Sequence, residues 1–152
     1  MYFHYMLILL LSAGTWTTVD NEGTEPVSWS FDASKVGASE YELVLTAQVE
    51  PGWYIYSQHQ ESDEGPIPTS FNFEDEEEYE LVGEVEEVGD KKEGYDEIFD
   101  MNIRKFSGEV RFIQRIRLLE PVGSIEGWLE YMACDDKRCL PPRDVSFSID
   151  LP

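Results

Sequence analysis

The chain has 152 residues, the size of one domain and enough to bury a hydrophobic core without a cross-link to hold it together. Its 32 acidic residues against 11 basic give a formal charge of -21, which excludes nucleic acid as a partner and argues against anionic membrane surfaces.

The N-terminal run Met1 to Gly14 is apolar, ends in small residues and is followed by the polar stretch Thr15 to Glu25. This pattern predicts a signal peptide over residues 1–18, cut between Ala13 and Thr18, ahead of one domain over 19–152. No Lys or Arg precedes the apolar run, where only His4 could carry charge. The run is short for a bilayer crossing, and no later stretch approaches the roughly 20 apolar residues of a transmembrane helix, so no direct membrane insertion of the mature domain is expected. Export would put the chain in the periplasm or another compartment where disulfides form and persist.

Beyond the leader, short alternating stretches are separated by turn residues, and no window carries a 3.6-residue period. Val27 to Phe31 alternates, and Tyr41 to Val49 puts Leu43, Leu45, Ala47 and Val49 on one face. Pro51-Gly52 then breaks to Trp53-Tyr54-Ile55-Tyr56. Further strands are predicted over 69–73, 79–88, 108–118, 125–134 and 145–151, a spacing that suits an all-β, immunoglobulin-like two-sheet β-sandwich. The acidic runs Glu74 to Glu78 and Glu84 to Glu87 read as a solvated face, and Asp90 to Gly94 lacks the alternating acidic ligands of a calcium loop. Gly89 to Phe99, with charges between aromatic residues, is predicted to be a long loop.

Two cysteines, Cys134 and Cys139, lie in Tyr-Met-Ala-Cys-Asp-Asp-Lys-Arg-Cys-Leu-Pro-Pro, residues 131–142. If a strand ends at Cys134 and the return begins at Cys139, residues 135–138 are a hairpin loop and the cysteines face each other. Opposed residues of antiparallel strands have Cα atoms about 4.5 to 5.5 Å apart, within disulfide range. A bridge closing so small a loop stabilises by only about 2 kcal/mol, so it is poorly placed as a staple and well placed for thiol attack. Lys137 and Arg138 favour a thiolate, Asp135 and Asp136 oppose it, and Pro141-Pro142 should leave the hairpin at a sheet edge. An exchangeable redox pair, an inert local staple and a metal site all remain open on these grounds. For metal, His59 is the lone imidazole after the leader, two cysteines fill half of a zinc site, and copper(I) could add Met132.

The stretch Ala133-Cys-Asp-Asp-Lys-Arg-Cys-Leu-Pro-Pro142, preceded far upstream by Gly52-Trp-Tyr-Ile-Tyr-Ser57, resembles the N-terminal periplasmic domain of the thiol:disulfide interchange protein DsbD, from about Val27 to Pro152. The resemblance implies an immunoglobulin-like domain that relays reducing equivalents between thioredoxin-fold oxidoreductases, an electron donor and an acceptor, without a cofactor. By position it implies Cys134 and Cys139 as the redox pair, Cys139 forming the mixed disulfide and Cys134 resolving it, with Tyr54 and Tyr56 lining the site. The family also carries a cap loop whose aromatic side chain covers the cysteines, and Gly89 to Phe99 falls there. Lys92 takes the position of that aromatic, Tyr95 is the nearest substitute, and Asp90 matches an acidic cap residue. The loop between the cysteines is shorter than in the family. Full-length members continue into transmembrane helices and a thioredoxin-like domain, so a chain ending at Pro152 is expected to be a free-standing relative or a fragment. The rival expectation is a non-enzymatic immunoglobulin-like binding module with an inert hairpin disulfide.

Overall fold

The structure, a computed structural model, describes residues 25–152; the expected leader lies outside the described residues. Nine strands and no helix make up this part: β1 (Val27–Lys35), β2 (Glu40–Val49), β3 (Tyr54–Tyr56), β4 (Ser70–Phe73), β5 (Tyr79–Asp96), β6 (Met101–Leu118), β7 (Ser124–Tyr131), β8 (Ala133–Cys134) and β9 (Arg143–Asp150). Six strands form one sheet in the order β1-β2-β6-β3-β8, with β5 also paired to β6; β4, β7 and β9 form the other. All pairings are antiparallel. The result is the immunoglobulin-like two-sheet sandwich that the strand spacing implies.

Period-two alternation places the core. In β2, Leu43, Leu45 and Ala47 are fully buried, and in β6 Val110, Phe112 and Ile116 continue that face. Against them the second sheet sets Ile125, Leu129, Phe147 and Ile149. Within the three-stranded sheet, Gly127 of β7 is so crowded by its neighbours that an added Cβ would lie 2.1 Å from the Asn72 carbonyl oxygen of β4 and 2.7 Å from the Phe147 ring of β9.

Two features depart from the sequence reading. Gly89 to Phe99 is not a long loop: β5 runs on to Asp96, Lys91 to Asp96 pair with residues 101–106 of β6, and only residues 97–100 turn. Both faces of this arm are largely exposed and charged, so it carries no apolar alternation, and its backbone ladder supplies the order instead. The predicted strand 125–134 is also two strands in two sheets: β7 belongs to the three-stranded sheet and β8 pairs with β3 in the six-stranded one. The chain crosses between layers at Met132, and residues 131–134 are consequently all buried in succession.

Candidate functional site

The crossing at Met132 delivers the cysteines to the edge of the six-stranded sheet. β8 is its last strand, Cys134 and Cys139 form an isolated antiparallel bridge, and their sulfurs are joined. Their Cα atoms are 4.0 Å apart, closer than opposed residues of a regular ladder. The Asp135 amide donates to the Arg138 carbonyl at 2.9 Å, and Leu140 donates to the Ala133 carbonyl at 2.9 Å. The Asp135 carboxylate accepts from the amides of Lys137 and Arg138, each at 2.8 Å. Those amides, Lys137 first, hold its carboxyl below the usual aspartate range. Asp135 is thus engaged in shaping the turn. The two cysteines differ in access: Cys134 is buried and Cys139 half-buried.

The bridge sits on the outer face of its sheet. Tyr54 lies opposite Cys134, and Ile55 lies opposite Ala133 and Phe106. Ile55, Ala133 and Phe106 belong to the main core, so Tyr54, Tyr56, Cys134 and, opposite Tyr56, Lys105 project the other way. There Tyr56, Ile103, Met132 and Cys134 form a second buried cluster, separate from the main core, with Cys139, Phe99 and Met101 against it. Tyr56 is held by its neighbours, since its carbonyl accepts from the Thr69 hydroxyl at 2.6 Å. Burial, and then the Asp96 carboxylate, push its phenol far up, so it remains protonated.

The cover over this cluster comes from the turn joining β5 to β6. Phe99 meets Tyr56 edge-on, with ring centroids 5.8 Å apart. Buried Asp96 fixes the turn: one carboxylate oxygen accepts from the Ile98 amide at 2.9 Å and the other from the Lys105 ammonium at 3.0 Å. Asp100 closes it at φ 55°, a left-handed conformation that Asp tolerates. Sequence reasoning passed over Phe99. The usable signal was an apolar pair, Ile98-Phe99, between acidic residues in a stretch with no other reason to carry one.

Of the six residues singled out in the sequence, the structure gathers four: Cys134, Cys139, Tyr54 and Tyr56. Tyr95 stands apart from the buried cluster, 63% exposed with its hydroxyl donating to Asp100. Asp90 sits at a bulge of the arm, accepting from Ser107 at 3.5 Å. Lys92 lies over the Tyr54 ring at 5.7 Å and Lys105 at 4.3 Å. Behind the arm, Glu87 anchors the segment that follows β3. Its carboxylate accepts from the Gln58 amide at 2.7 Å and from the Ser57 hydroxyl at 2.8 Å, and pairs with Lys91 at 3.0 Å. Burial raises the Glu87 carboxyl, and these donors outweigh it, leaving it below the usual glutamate range. Among the described residues no group of three or more His, Cys, Asp or Glu is placed to hold a metal ion. None of them forms a helix long and apolar enough to cross a membrane.

A family model described as "Thiol:disulfide interchange protein DsbD, N-terminal" matches residues 22–151. Comparison with curated proteins finds no match. Among solved structures, the N-terminal periplasmic domain of ScsB from Proteus mirabilis is similar at a TM-score of 0.56 and 19% identity, over 82% of this chain and 45% of that one. The chain therefore spans less than half of that neighbour, and the likeness concerns the fold. The N-terminal domain of Neisseria meningitidis DsbD in the reduced form is similar at a TM-score of 0.47 and 17% identity, over 80% of this chain and 84% of that one.

Proposed function

This chain belongs to the family of the N-terminal domain of the thiol:disulfide interchange protein DsbD, and from that premise we propose that it is an exported redox domain relaying reducing equivalents between thioredoxin-fold partners through Cys134 and Cys139. The observation that carries the reading is the position of the bridge. It closes only an edge hairpin, shares a small satellite cluster instead of the main core, and presents one cysteine more openly than the other.

In the proposed cycle a thiolate of the donor attacks Sγ of Cys139, the less buried cysteine, and the electron pair of the broken S–S bond leaves on Cys134. The donor's second cysteine then attacks the mixed disulfide; the domain gains two electrons and the donor becomes a disulfide. Passing them on reverses the roles. The Cys139 thiolate opens the acceptor's disulfide, Cys134 attacks Cys139 to resolve the mixed disulfide, and the acceptor departs as a dithiol. Tyr54 and Tyr56 wall the site, and Phe99 is the aromatic cover that must swing aside for the partner's sulfur to arrive. Signal peptide 1–18 and domain 19–152 complete the proposal.

The test mixes the oxidised domain with a reduced thioredoxin and counts the free thiols on the domain over time. Rapid appearance of two thiols on the domain, and a covalent adduct of Cys134→Ser with an oxidised thioredoxin through Cys139, are the expected results. Persistence of the bridge would favour the inert binding module and remove the relay.

A further inference from the structure

The ladder of the arm places Lys92 directly opposite Lys105 on the face that carries the disulfide. Like charges opposed across two strands are destabilising. In a chain with 32 acidic residues a carboxylate between them would be the ordinary remedy. Lys105 has one, Asp96 at 3.0 Å. Lys92 takes part in no ion pair among the described residues; its ammonium lies over Tyr54, the residue opposite Cys134.

The two lysines also wall a cavity of about 200 Å³. Its other lining is Glu93, Gly94, Tyr95 and Ile103; Glu93 is paired with Arg104 at 3.2 Å, and Ile103 belongs to the buried cluster of Cys134. With Lys105 paired to Asp96 and Glu93 to Arg104, the Lys92 ammonium is the one charge of the lining without an ion pair among the described residues; the cavity has an apolar wall at Ile103, is about the size of one side chain, and lies beside Tyr54. Elsewhere the molecule is strongly anionic and would repel an acidic protein at long range.

The geometry points to this cavity as a docking socket for one acidic side chain on the rim of the thioredoxin-fold partner's active site, with Lys92 as the residue that binds it. This rests on the relay reading above. The socket orients the incoming protein, touches neither sulfur, and sets which thioredoxin-fold proteins react quickly: those with a carboxylate at the matching rim position.

The experiment measures the second-order rate at which the oxidised domain is reduced by a reduced, net-acidic thioredoxin, and separately by dithiothreitol. The variants are Lys92→Met, Lys92→Glu and Arg111→Glu, the last making the same charge change on the exposed middle of β6. With thioredoxin, Lys92→Glu is expected to be slower than Arg111→Glu by about tenfold, with Lys92→Met between wild type and Lys92→Glu. With dithiothreitol all four proteins should react alike. If Lys92→Glu is no slower than Arg111→Glu toward thioredoxin, or if Lys92→Glu slows dithiothreitol equally, the socket is overturned and the relay stands. If dithiothreitol reduces wild type and thioredoxin does not, the relay falls and the socket with it.

Discussion

The molecule has two buried regions that obey different rules. The main core lies between the sheets, is built from alternating residues of β1, β2, β6, β7 and β9, and contains neither sulfur. The satellite cluster lies outside the six-stranded sheet, under a turn, and consists of Tyr56, Ile103, Met132 and Cys134. The first is packed from both sides by regular strands and defines the fold. The second is covered from one side by Phe99 on a turn that a single carboxylate secures, so it can open while the first stays closed. Under the proposed relay, that separation would let the bridge be made and broken without remaking the domain.

Substitutions should therefore sort by region. Gly127→Ala is expected to be the most damaging, since its Cβ would meet backbone at 2.1 Å; failure to fold, or a loss well above about 3 kcal/mol in urea unfolding, is the expected outcome. Phe112→Ala, also in the main core, should cost about 3 to 5 kcal/mol in the same measurement. Replacing both Cys134 and Cys139 by Ser should cost only about 2 kcal/mol, the entropy of a six-residue loop, and leave the far-ultraviolet circular dichroism unchanged.

Glu87 belongs to the frame of the arm, and its folded carboxyl titrates below the unfolded value. A depressed pKa gives stability that is fully present above the unfolded value of about 4.3 and is lost as pH falls through the folded value. Wild type should thus lose stability in that acid window, and Glu87→Gln should flatten the profile there while weakening the domain at pH 7. Phe99→Ala should have the smallest effect on stability and the clearest on reactivity. Iodoacetamide should label Cys139 of the reduced domain severalfold faster, whereas Tyr95→Ala, whose side chain faces Asp100, should leave the labelling rate as it was.

The difference between the regions also explains what could be read beforehand. Leu43, Leu45, Ala47 and Val49 alternate because one face of β2 meets the other sheet, and the same holds for Val110, Phe112 and Ile116 of β6. Strand identity and the sandwich were legible from that pattern. The cysteine hairpin was legible from spacing, because turn length alone sets the cysteines face to face. The arm was not, since Lys91 to Gly94 face solvent on both sides and leave no period to detect. Tyr131-Met132-Ala133-Cys134 passed as the end of one strand, although a run of four buried residues breaks alternation and marks the chain crossing between layers. The apolar pair Ile98-Phe99 between Glu97 and Asp100 marks the place in the sequence, and the turn that Asp96 shapes shows what it is for, bringing Phe99 to Tyr56.

The most direct test reduces the bridge and asks what else loosens. Hydrogen exchange is followed amide by amide on the oxidised domain and on the same domain after reduction by thioredoxin. The expected result is two free thiols with protection lost only around residues 97–100 and 133–139, while Leu45, Phe112 and Leu129 remain as protected as before. Loss of protection at those three residues on reduction would show the bridge to be part of the sandwich's support, and would contradict the separation on which the relay depends.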